Sequence, residues 1–188
     1  MLGARTTNPR IHRAALIAAV VLLAAGITTA AAASPPAAPT PDRAPFARVY
    51  LALRGCTSCS HCRTTIRQMV RSTSEGGETK FSDDRVEVRY ATPRQVPLRQ
   101  VIHSLADNRL HDLSVVDVLF EASGTLATAV NGVTTFTLAE TGQTFPLSVA
   151  GTLARPADGS PVRLVALVSG WRENAALSLV AREMKPGA

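Results

Sequence analysis

From Arg48 onward the hydrophobic positions follow a regular period. Val49, Leu51 and Leu53 alternate with Tyr50 and Ala52, which is the pattern of a strand. After a short loop, Cys62, Ile66, Met69 and Val70 fall at i, i+4, i+7 and i+8, the apolar stripe of a helix. Ser74-Glu75-Gly76-Gly77 breaks that helix. A second strand is predicted over Glu78–Ser82, with a turn at Asp83-Asp84. Val86, Val88 and Tyr90 alternate with Glu87 and Arg89 as a third strand. Pro97 opens a second helix, where it occupies the first turn without losing a needed donor. Leu98, Val101, Ile102 and Leu105 form the apolar face of that helix, and Asn108 ends it. Val116, Val118 and Phe120 then predict a fourth strand.

Beyond Ser123 no helical period survives. Leu126–Val130 precedes Asn131-Gly132, a strong hairpin signal. Val133–Leu138, Phe145–Val149, Val162–Val168 and Leu177–Ala181 follow, separated by Thr141-Gly142, Gly151, Ala157-Asp158-Gly159 and Gly170-Trp171-Arg172-Glu173-Asn174. Closely spaced short strands predict a small β-barrel, similar in pattern to OB-like barrels. A core that small is marginal alone and is expected to pack against the preceding segment or a partner. The fold class expected from the whole pattern is α+β. A ferredoxin-like βαββαβ sandwich over residues 47–122 is followed by a small all-β, OB-like barrel over residues 123–184.

The segment ahead of this pattern has a different character. Arg5, Arg10 and Arg13 stand without an acidic residue, residues 14–27 are apolar, and Ala31-Ala32-Ala33 supplies a small-x-small cleavage pattern. Basic, apolar and small, in that order, make a secretory signal peptide over residues 1–33. Left uncleaved, the segment would anchor the chain, since it approaches the roughly 20 residues of a spanning helix. Residues 34–46 read as a semi-rigid linker, with five prolines between Ser34 and Pro45. The expected location is therefore exported, periplasmic or secreted. Loss of the three leader arginines lowers the formal charge from +6 to +3. The remaining arginines are interspersed with Asp and Glu, with no basic run among aromatics, so no nucleic-acid partner is expected.

All three cysteines of the chain lie in Gly55-Cys56-Thr57-Ser58-Cys59-Ser60-His61-Cys62, between the first predicted strand and the first helix. An odd number in an oxidising compartment fits a purely structural disulfide role poorly. Clustered thiolates are soft donors suited to Cu(I), Zn(II) and Hg(II). At a helix N-terminus the unpaired N–H groups and macrodipole favour negative charge, which favours the thiolate. Arg63 and Arg67 add positive field or form a solvated helix face, the latter being the reading preferred for Arg67.

With these residues in place, residues 47–122 resemble the heavy-metal-associated domain family, which includes copper chaperones, metal-ATPase modules and periplasmic mercury-binding proteins. That family carries Gly-Met-Thr-Cys-x-x-Cys at the same junction, with apolar helix positions four, seven and eight residues after the second cysteine. Ile66, Met69 and Val70 stand at those offsets from Cys62, so the resemblance assigns Cys59 and Cys62 as the metal pair. Two departures are plain. Thr57 replaces the family's methionine, and one extra residue separates Gly55 from the pair. Cys56, three residues before Cys59, is a third candidate ligand or a spare or resolving thiol. His61 is expected to face solvent. His111 follows the second helix in a loop that this fold brings near the cysteines, as a ligand or a neighbour of one. His103 is read as a surface position, and His12 belongs to the leader.

The leading expectation is a non-enzymatic, exported protein that sequesters or transfers a soft metal, Cu(I) before Zn(II) or Hg(II). A metal-donor or metal-acceptor protein would be its partner. No Ser-His-Asp arrangement, acidic-histidine hydrolytic set or Gly-rich phosphate loop is present. The main rival is a thiol–disulfide oxidoreductase, since C-x-x-C between a strand and a helix also suits redox exchange. Against it, the element order after the first helix is strand–strand, and Pro93 and Pro97 flank a loop-to-helix segment rather than preceding a strand that faces the cysteines. A third alternative is an interaction module whose metal site has decayed. A three-cysteine iron–sulfur site fits poorly, because such clusters take four protein ligands.

Overall fold

A computed structural model describes residues 44–55, 57–83, 85–107, 113–173 and 175–187. The expected signal peptide, most of the linker, and Cys56, His12 and His111 lie outside these described residues. In chain order the elements are β1 (Ala47–Arg54), α1 (Ser60–Thr73), β2 (Gly77–Phe81), β3 (Arg85–Tyr90), α2 (Leu98–Ala106), β4 (Ser114–Thr128), β5 (Thr134–Leu138), β6 (Thr144–Ser148), β7 (Pro161–Ser169) and β8 (Ser178–Pro186).

One eight-stranded sheet runs β2-β3-β1-β4-β5-β6-β8-β7, and an additional β4–β7 pairing closes its last five strands into a barrel. Every pairing is antiparallel except β6–β8. The expected ferredoxin-like α+β sandwich with a separate barrel behind it is thereby corrected. Among the described residues 46% lie in strands and 17% in two helices, and a closed five-strand barrel is part of the same sheet.

The physical reason lies in β4. Its 15 residues contain no proline, and Ser123-Gly124 stays extended between paired strands instead of turning, so strand geometry continues past Ser123, where the loss of helical period suggested a boundary. One edge of β4 pairs with β1 as far as Ala122 and with β5 from Gly124, while the other edge pairs with β7. Gly124 stands at this handover. A Cβ there would lie 2.1 Å from the Thr137 carbonyl oxygen and 2.7 Å from the Phe136 ring, so only glycine fits without displacement.

The inward positions follow from period-two alternation. Val49 and Leu51 of β1, Val86 and Val88 of β3, and Val118 and Phe120 of β4 are fully buried. Ile66 and Val70 of α1 and Val101, Ile102 and Leu105 of α2 are equally buried. α1 packs on α2 and β2, and α2 on β4. Burying each such side chain stabilises by about 1.5–3 kcal/mol. The same cluster continues through Leu126, Phe136, Val162, Leu164 and Leu179 inside the barrel. Phe120 and Phe145 join the two regions, with ring centroids 5.5 Å apart.

One register detail departs from simple alternation. The β1–β4 pairing shifts between Ala52 and Leu53, so Val115 turns inward and Val116 is left 38% exposed. An irregularity of this kind reverses the faces on one side of it. Val116 was expected to share the face of Val118 and Phe120, and it does not.

Two further ties cross the molecule. Gln143, in the β5–β6 turn, accepts from Val96 N at 2.8 Å and donates to Val96 O at 3.1 Å. Arg172, beside Trp171, donates to Val116 O. On the sheet face away from the helices, Glu121 receives Tyr50 Oη at 2.8 Å and Arg163 Nε at 2.8 Å, with Arg48 3.6 Å away. Burial pushes the Glu121 carboxyl up, but the Arg163 and Tyr50 hydrogen bonds and the arginine charges outweigh it and hold it below its usual value.

Candidate thiol site

β1 ends at Arg54, and Gly55 turns the chain with φ +116°, a conformation that favours glycine. The loop then leads through Thr57 into α1, whose N-cap is Cys59. Cys59 is extended (φ −71°, ψ 147°), and its Sγ accepts a hydrogen bond from Cys62 N at 3.1 Å. A cysteine thus does at this helix end what Ser or Asp does at most others. Three-residue spacing causes this, because the N-cap side chain meets the N–H of the third helical residue. Cys59 is an exposed residue and Cys62 a half-buried one.

The first turn of α1 holds no acidic residue. Along the whole of α1 the arginines are Arg63, Arg67 and Arg71, the last of them in the final turn. The Arg63 and Arg67 guanidinium carbons stand 5.7 and 5.0 Å from the centroid of the Phe81 ring at the end of β2. Arg63 Nε also donates to Thr57 O at 3.1 Å. A sulfur carrying negative charge at Cys59 would therefore face the positive end of the α1 dipole and the Cys62 N–H donor.

Cys59 and Cys62 are brought to one helix end, as the C-x-x-C spacing implied. Ile66 and Val70 are buried and Met69 packs on the core, while Arg63 stays half-buried. His61 is exposed between the two cysteines. His103 lies on α2, with Nδ1 3.2 Å from Asp107 Oδ2. Among the described residues no group of three or more His, Cys, Asp or Glu is placed to hold a metal ion. Cys59 and Cys62 are the described residues of the expected donor set, and thiolates of this kind suit a soft ion such as Cu(I) or Zn(II).

Thr57 is the feature that sequence reasoning passed over, having noted it only as a replacement for methionine. It is 8% exposed, and its hydroxyl donates to Asp83 O at 2.8 Å. A single threonine in a Cys- and Ser-rich loop carries no signal of burial; the β2–β3 turn that covers it is distant in sequence. Comparison with known proteins gave no matching family model and no matching curated sequence.

Proposed function

We propose that this chain is an exported, non-enzymatic protein that holds a soft metal ion, Cu(I) foremost, on Cys59 and Cys62 and sequesters or transfers it. The observation that carries this reading is the exposed helix N-terminus where Cys59 Sγ accepts from Cys62 N, with no acidic residue in the turn. Such a site favours thiolate donors, and an exposed sulfur can be reached by a donor or acceptor protein. The leader-like residues 1–33 support export. The loop sequence and its place between strand and helix support the resemblance to heavy-metal-associated domains. In the barrel, the ring order β4-β5-β6-β8-β7 with a parallel β6–β8 pair supports an OB-like reading and a docking or spacing role.

The test is an anaerobic Cu(I) titration of the reduced full chain against a competing chelator, beside Cys59→Ser/Cys62→Ser and Cys56→Ser. One-to-one uptake abolished in the double variant is expected. Uptake equal in all three proteins would remove the metal reading.

A second reading is favoured by the unequal exposure of the two cysteine residues. An exposed Cys59 thiolate would attack a partner disulfide, forming a mixed disulfide and releasing one partner thiolate. Cys62 would then attack Cys59 Sγ, releasing the second thiolate and leaving a Cys59–Cys62 disulfide, so two electrons pass to the partner. Catalysed reduction of a model disulfide, lost in Cys59→Ser, would decide for this reading.

A further inference from the structure

We propose that Thr57 is the positioning residue of the thiol loop, holding Cys59 at the N-cap through its buried hydroxyl. This inference rests on reading Cys59 and Cys62 as the working pair. Thr57 and Ser74 are the buried polar side chains among the described residues. The Thr57 hydroxyl donates to Asp83 O at 2.8 Å, tying the loop to the β2–β3 turn 26 residues away. Its carbonyl accepts from Arg63 Nε at 3.1 Å, tying the same residue to the first turn of α1. Arg63 rests against Phe81 of β2, and its backbone N donates to Cys59 O at 3.1 Å. Loop, helix start and β2–β3 hairpin therefore converge on Thr57, two residues before the sulfur that receives Cys62 N.

Donors already held in their bound geometry do not incur the ordering cost on binding. Valine has the shape of threonine without the hydroxyl, so Thr57→Val leaves the Asp83 carbonyl against a methyl group and frees the loop. Serine keeps the donor. In Thr57→Val, Cu(I) affinity is expected to fall about fivefold to tenfold, the effect of one lost hydrogen bond. The alkylation ratio at fixed pH, which favours exposed Cys59 over half-buried Cys62, is expected to move toward parity.

The experiment uses the reduced full chain and its Thr57→Val and Thr57→Ser variants, with site-resolved iodoacetamide labelling and Cu(I) competition. A shift in Thr57→Val restored in Thr57→Ser supports the proposal. No shift in Thr57→Val, or an equal shift in both, overturns it. If no protein takes up Cu(I) while labelling shifts and is restored, the metal reading falls and the positioning role stands. If Thr57→Val fails to fold by circular dichroism, Thr57→Ala takes its place beside Thr57→Ser. Labelling ratios that agree between Thr57→Ala and Thr57→Ser overturn the proposal.

Discussion

Replacing Gln143 by leucine tests whether the barrel and the helix-bearing part of the sheet stand or fall together. The Gln143 carboxamide makes both bonds available to it with one residue, accepting from Val96 N at 2.8 Å and donating to Val96 O at 3.1 Å. Val96 is 1% exposed, so its N–H has little access to water once the amide is gone, while its carbonyl keeps Leu98 N at 2.9 Å. A buried group left without a partner costs about 1–3 kcal/mol. Gln143 itself is half-buried, which lets water replace part of the loss and places the net effect at about 1–2 kcal/mol. With a urea m-value of about 2 kcal/mol/M, the midpoint should fall by about 0.5–1 M. Two probes should be read on the same samples. Trp171 fluorescence reports on the barrel, because the single tryptophan precedes β8, and far-UV circular dichroism reports on α1 and α2. One continuous core predicts coincident transitions in wild type and a common downward shift in Gln143→Leu. A shift confined to fluorescence would refute coupling through the core. A midpoint unchanged within about 0.3 M would refute the contribution assigned to the amide.

Three further outcomes follow from particular contacts. Glu121 is held below its usual value in the fold, so the stability it contributes is present above the unfolded carboxylate value, about 4.3, and is lost as pH falls through its folded value. Glu121→Gln should therefore be less stable than wild type at pH 7 by urea midpoint, with the difference narrowing as pH falls below the usual carboxylate value. Tyr90 is 2% exposed, and burial, only partly offset by the Ser74 hydrogen bond, pushes it up to about 12. Its contribution is intact below the usual tyrosine value of about 10 and disappears as pH rises through the folded value, so ultraviolet titration should show a tyrosine ionising only as the fold is lost, a feature absent from Tyr90→Phe. Gly124→Ala would place a methyl 2.1 Å from Thr137 O, and backbone displacement there should cost about 3 kcal/mol in denaturant melts, whereas Gly151→Ala, with open space around its Cβ, should change little.

Most elements were legible because each carries its own period. The stripe of Cys62, Ile66, Met69 and Val70 predicted α1, and the alternation of Val86, Val88 and Tyr90 predicted β3. Turn pairs at Asn131-Gly132 and Thr141-Gly142 bracketed β5 for the same local reason, since both glycines have φ near +70 to +80°. The thiol pair was equally plain, because a cysteine at an N-cap and another three residues on must meet at one helix end. Val116 was misread because the β1–β4 irregularity depends on what Ala52 and Leu53 do across the ladder.

Residue types and their spacing thus determined the local structure and the meeting of Cys59 and Cys62 at one helix end, since both depend on neighbours within about one helical turn. Tertiary structure alone decided that β4 serves two partners along one edge, that β7 closes the barrel on it, and that Thr57 is buried beneath the β2–β3 turn. Those facts depend on which strand edges meet, and hydrogen bonds between residues 26 to 47 positions apart leave no periodic trace in the sequence.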